Sequence, residues 1–328
     1  NGVFDSDKST LPQVEGLRFL PFTSSDEPAS QISAKPHIFE ALNSAMPQDG
    51  YILELSKNIV VDDFIQVVFL YDGDTVVSQP RSVITLDEGA NLKLTEFHIH
   101  GSTGTTFANI HTDLDIADNA HLKMDIIQKG GRESFHLQEV FGRMGNNSTV
   151  MQNTFTLSGL WTRNNTTIRL DGEHNECNLN GFYIPNQREH IDNHTIIDHE
   201  QPNCQSNELY RGVLLDKSTG VFNGKVFVRQ DAQKTNAFQS NGNIVVSDAA
   251  TMNSKPELEI YADDVKCSHG STTGQLDDEA MFYLQARGLS KDSARKLLIN
   301  AFAEDVLEKL VNPELREIVE ETVNLKLA

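Results

Sequence analysis

Cysteine is scarce. Cys177, Cys204 and Cys267 are the only three in 328 residues. They are odd in number, widely spaced and form no C-x-x-C, so neither a disulfide framework nor a four-cysteine zinc site can be written from them. Free thiols in a reducing compartment are expected, and the acceptor patterns at Asn146-Asn147-Ser148 and Asn193-His194-Thr195 then count as chance matches, since glycosylation needs a secreted chain. Tryptophan is nearly absent, with Trp161 alone, and aromatics make up 7% of the chain. A cleft that stacks sugar rings would want more. Basic residues are few, 27 against 47 acidic ones, and the formal charge of −20 repels nucleic acid and anionic lipid while favouring solubility or a basic partner. No apolar run approaches the roughly 18 residues of a membrane span, and no signal-peptide pattern opens the chain. A cytoplasmic protein with neither nucleic acid nor membrane as a partner is expected. A phosphate loop is also missing: GVFNGK at Gly220–Lys225 has the wrong glycine spacing and is followed by Val226 where a magnesium-binding hydroxyl belongs. The chain itself is expected to bind no nucleotide.

What is present falls into three parts. Residues 1–48 read as irregular and rich in Ser, Pro and Asp, with one short helical candidate at Pro36–Ala45. The chain opens at Asn1-Gly2 without a methionine, so this part is expected to be the remnant of an N-terminal region. Residues 49–275 form an all-β run of short strands rich in Val, Ile, Leu and Thr, broken by Asp, Asn and Gly. Within it LDEGANLKL at Leu86–Leu94 is echoed by IADNAHLKM at Ile116–Met124. Approximate repeats of this kind suit a parallel β-helix, whose rungs stack to bury one continuous core. An antiparallel sandwich would fit the strand lengths, but two-residue Asn-Gly or Asp-Gly hairpin signals are scarce between adjacent strands. Residues 276–328 carry three amphipathic helices, capped by Asp277, by Ser290 and by Asn312-Pro313. Their apolar stripes must be buried, either over the open end of the solenoid or against another protein.

The stretch Lys255–Gly274, KPELEIYADDVKCSHGSTTG, carries the candidate chemistry. If its extended conformation continues through Lys266, the period of two puts Val265, Cys267 and His269 on one face. A thiolate and an imidazole side by side suit iron, copper or zinc, and iron-sulfur clusters in particular accept cysteine with occasional histidine. Two donors do not close a site, so the remaining ligands come from a partner chain or a distant residue, or the pair is a buried cysteine beside a satisfied histidine. His98-x-His100, with His111 or His121, reads as a solvent-facing pair rather than a chelate. The acids Asp263, Asp264 and Asp277–Glu279 are adjacent rather than at strand spacing, which argues against the paired carboxylates of a β-helical polysaccharide lyase or hydrolase.

The run IYADDVKCSHGSTTGQLDDEAMFYLQARGLS, with HTIIDHEQPNCQSNELYRGVL and GVFNGKVFVRQDAQKTNA upstream, closely resembles the D-type subunits, SufD, of the SufB/SufD family of the Suf iron-sulfur cluster assembly system. The likeness runs from about Tyr51 to the end. The segment DDVKCSHG favours D-type over B-type members. Cys204 and His199 also match the family pattern, although no chemistry is assigned to them, and Cys177 is read as structural. The resemblance implies a right-handed parallel β-helix core with a C-terminal α-helical domain, and a helical region preceding residue 1. It further implies a non-catalytic scaffold that pairs with a SufB-like subunit through the β-helix and docks a SufC-like ATPase through the C-terminal helices. His269, with Cys267 as second ligand or neighbour, would contribute to a transient iron-sulfur cluster at the interface with SufB. Pairing of β-helix edges would permit a homodimer in isolation as well. A purely structural adaptor, with Cys267 and His269 as core residues, is the rival expectation.

Overall fold

The computed structural model of the chain describes residues 3–24, 38–101 and 103–327. Two long sheets form a parallel β-solenoid in which the chain alternates between sheets, one strand in each per turn. The first sheet runs from Gly50–Leu55 to Thr251–Ile260 and the second from Val60–Tyr71 to Lys266–Gly274. The second holds eight strands, one for each turn. The thirty-residue echo read in the sequence is the register itself: Leu86 pairs with Ile116, Leu92 with Leu122 and Leu94 with Met124. Every one of these residues is buried in the lumen, where the leucine-rich half of each rung stacks on the next.

The corners explain why the sequence tolerates this path. Where the chain passes from the first sheet to the second, one residue at each of the first seven corners takes a left-handed conformation: Asn58, Gly89, Asn119, Asn147, His174, Asn203 and Lys234. Glycine and asparagine adopt that region at least cost, and they hold five of the seven positions. The backbone N–H of each donates to a carbonyl of the following corner, as in Gly89 to Asp118 (3.0 Å), Asn119 to Asn146 (2.8 Å) and Asn203 to Gln233 (2.9 Å). The turns are thereby pinned in line, and the pairing register follows.

Among the described residues four α-helices accompany the solenoid: α1 (Ile38–Ala45), α2 (Asp278–Ala286), α3 (Lys291–Leu307) and α4 (Leu315–Lys326). The expected helix at Pro36–Ala45 is present from Ile38, while Pro36 and His37 lie outside the described residues. Ahead of it, the region expected to be irregular contains a strand, Leu17–Pro21, paired antiparallel with Gly50–Leu55. Phe19 stacks there on Tyr51 with ring centroids 5.2 Å apart, so the edge of the first turn is closed by apolar contact as well as by backbone pairing.

The helices α3 and α4 do not lie over the open end of the solenoid. They pack on the outer face of the second sheet, where Ile299, Ala303, Val306, Leu315, Val319 and Val323 share a core with Ile127, Phe155, Phe182, Ile184 and Val213. The reason is an apolar outer patch on four strands of that sheet, which the alternation leaves with nothing else to cover it. The junction of α3 and α4 is tied down by the buried Asp125, whose carboxylate accepts from the N–H groups of Val311 and Asn312. Burial pushes the Asp125 carboxyl up. Lys326 donates to Glu189 and to the carbonyl of Ile184, both at 2.7 Å, and secures the end of α4. Asn312-Pro313 belongs to the turn before α4 rather than to its first turn.

Candidate functional site

The solenoid ends in an unfinished rung. Thr251–Ile260 and Lys266–Gly274 are the last strands of the two sheets, and each has a hydrogen-bonded neighbour on one side only among the described residues. The extended chain does not continue from one to the other, because Tyr261–Val265 forms a corner. Cys267 and His269 nevertheless share a face, since both lie within the second of these strands two residues apart.

That face is the inward one. Cys267 is in register with the buried Ala237 and His269 with the buried Gln239, whereas Ser268 between them follows the exposed Phe238. Cys267 is half-buried against the end of the leucine-rich core. His269 is exposed because no further rung covers it. Burial pushes the Cys267 thiol up, with a smaller opposing effect from the Ala237 backbone. The His269 imidazole is not among the groups acting on the thiol. Among the described residues no three His, Cys, Asp or Glu side chains converge to hold a metal, so the pair supplies two soft-to-borderline donors at an open end.

Beneath His269 the lumen turns polar. Leu179, Glu208, Gln239 and His269 occupy one register position on four successive strands of the second sheet. Gln239 Nε2 donates to Glu208 Oε2. Burial raises the Glu208 carboxyl to about 7, against the opposing hydrogen bonds from Thr195 and Gln239. Nearby, Asn243 accepts from Tyr183 (2.6 Å) and donates to Asn241 (2.7 Å), and Asn241 accepts from Ser254 (2.9 Å). Glu208 and Gln239 carry no signal of their own in the sequence, although one turn length of about thirty residues counted back from His269 finds Gln239 and a second finds Glu208.

The histidine pair His98 and His100 is buried, not solvent-facing. Both point into the lumen near the first turns. Tyr71 and Glu96 bond His98 at 3.0 and 3.2 Å, and His100 Nε2 lies 3.1 Å from His136 Nδ1. Burial drives His100 down to about 3 and His136 well below its ordinary value. His111 and His121 do not join them; His111 is bonded to Asp113 at 3.1 Å. His199 is buried on Ser206 (2.9 Å), with its imidazole lowered to about 4 by burial. Cys204 is buried and donates to the Gly172 carbonyl at 3.3 Å, and burial pushes the thiols of Cys177 and Cys204 up. At the helices, Asp277 accepts from the N–H groups of Glu279 and Ala280, so that acidic run is a helix start. The aromatic side chains of α2 face outward, Phe282 being 74% exposed. No helix among the described residues is long and apolar enough to cross a membrane.

Comparison with known proteins gives consistent matches. The family model described as SUF system FeS cluster assembly, SufBD core domain, matches residues 69–302. The iron-sulfur cluster assembly protein SufD of Escherichia coli is 34% identical over 239 residues, covering 73% of this chain and 56% of that protein. An iron-sulfur cluster assembly SufBD family protein of Synechocystis is 32% identical over 283 residues, covering 83% and 62%. The chloroplastic protein ABCI7 of Arabidopsis thaliana is 32% identical over 327 residues, covering 97% of this chain and 67% of that protein. The chain therefore spans little more than half the length of the first of these relatives.

Proposed function

The chain belongs to the SufBD family of the SUF system for iron-sulfur cluster assembly, and from that premise we propose that it is a scaffold subunit of the D type, without turnover of its own. The observation that carries the reading is the unfinished rung: two unpaired strand edges beside a Cys-x-His whose side chains face the open lumen. A second solenoid of the same family, SufB-like, would complete the sheets by edge pairing and bring the ligands that this chain lacks. The nascent cluster is cargo there, held by His269 with Cys267 as second ligand or neighbour. The exposed aromatics of α2 and the helices behind it are proposed as the docking surface for a SufC-like ATPase, whose nucleotide cycle would move the paired solenoids and expose the site. Residues 49–275 are then the solenoid core and 276–328 the docking segment. The cytoplasm or, as the name of one relative suggests, a plastid would house the complex.

The test is co-purification of the full-length chain with SufB-like and SufC-like partners, followed by anaerobic reconstitution and absorbance spectra for wild type and His269→Ala. Loss of the cluster band with the complex intact is expected. A full cluster signal in the variant would move the chemistry to the partner and leave this chain an adaptor.

A further inference from the structure

We propose that Gln239, anchored by the buried carboxyl of Glu208, is the positioning residue for His269. This rests on the reading of His269 as a ligand for the nascent cluster. Side chains at one register position of parallel strands stand about 4.8 Å apart, so the inward residues Glu208, Gln239 and His269 meet in sequence along the lumen. The bond from Gln239 Nε2 to Glu208 fixes which end of the amide faces onward. The other end, Oε1, is buried and has no hydrogen-bond partner. An orphaned acceptor in a 3%-exposed side chain calls for a donor.

Two directions of approach are closed to that donor and the last rung is open. Across the lumen the first sheet presents Gly224, where even a Cβ would lie 2.3 Å from Gln239 Nε2, so no side chain can enter at that position, and the neighbouring Thr195 acts on Glu208 instead. Behind Gln239 stands Glu208, whose Oε2 already accepts from Gln239 Nε2 and whose ionised carboxylate has no proton to give. Ahead is the last rung, whose inward residue at this position is His269. Rotation of that exposed side chain toward Gln239 lets one ring N–H donate to Oε1. The other ring nitrogen is then fixed as the lone-pair donor facing the open end, the arrangement in which an imidazole ligates a metal. Gln239 touches no cargo; it selects the tautomer and the ring orientation.

The experiment uses the full chain labelled with 15N-histidine at pH 8, with the His269 signals assigned by their absence in His269→Ala. Wild type is expected to show the ring shifts of a single neutral tautomer. Gln239→Met, close in volume and without an acceptor oxygen, is expected to give the averaged shifts of a free imidazole with the thermal midpoint little changed. Glu208→Gln, which keeps an acceptor for Gln239 Nε2, is expected to retain the single tautomer. Averaged shifts in wild type, or a single tautomer surviving in Gln239→Met, overturn the proposal. Should Gln239→Met fail to fold, Glu208→Leu frees the anchor instead, and an unchanged tautomer in it overturns the proposal equally. Normal cluster assembly in His269→Ala would remove the ligand reading, while the tautomer data would still decide the role of Gln239.

Discussion

The two ends of the solenoid carry the same local pattern and put it to different uses. His98-x-His100 and Cys267-x-His269 both lie on strands of the second sheet, both at a spacing of two, and both face the lumen. At the first turns the lumen is closed, and Tyr71, Glu96, Thr106 and His136 take up the histidine nitrogens. At the last turn no further rung follows among the described residues. In the closed lumen His100 and His136, surrounded by fixed partners in a low dielectric, are structural elements held neutral by burial. An imidazole on an unfinished rung keeps a nitrogen for something that arrives from outside.

This contrast is broken most directly at His136. Replacing it by Ala leaves a cavity and strips His100 Nε2 and Gln128 of a partner, which should cost about 3 kcal/mol of unfolding free energy in a denaturant titration. An effect below about 1 kcal/mol would mean that the network is not holding the first turns. Acid should separate the two ends next. His100, at about 3 in the fold, and His136, well below its ordinary value, stay neutral where the unfolded chain takes up protons. Their contribution is full above about pH 6.5 and falls by about 1.4 kcal/mol per histidine for each pH unit below it. Thermal midpoints between pH 7 and pH 5 read this directly, and a flat profile would sink the argument.

Glu208 works with the opposite sign. Its carboxyl, raised to about 7, contributes stability that is complete below about pH 4.5 and lost as the pH rises through 7. Glu208→Gln should therefore stabilise the protein at pH 8, on the order of 2 kcal/mol, and have little effect at pH 4. Equal effects at both values would show that burial does not govern this group. The smallest stability change belongs to His269→Ala, expected within about 1 kcal/mol of wild type because the side chain is exposed and Gln239 is the one partner proposed for it, even as cluster yield collapses.

Much of this was legible beforehand. LDEGANLKL and IADNAHLKM announced the turn length, and the corner asparagines and glycine showed where the chain would bend. Cys267 and His269 were placed on one face by period alone, although the strand supposed to carry them from Lys255 breaks at Tyr261–Val265. By sequence alone His98 and His100 read as outward, because paired histidines on a strand normally mark the wet face. A solenoid lumen with a polar half inverts that rule. His136, Glu208 and Gln239 went unseen for the same reason: each is an ordinary polar residue in its own strand, and only the stacking of rungs brings it under a partner thirty residues away.

The sequence by itself determined the period, the corners and the alternation, because these are set by local backbone preference and by which side chains avoid water. Tertiary structure alone decided which face of each strand is the lumen, where the C-terminal helices come to rest, and which histidine stands on the last rung. Those outcomes depend on the last rung having nothing above it and on an apolar patch spread over four strands. Neither is a property of any one segment of the chain.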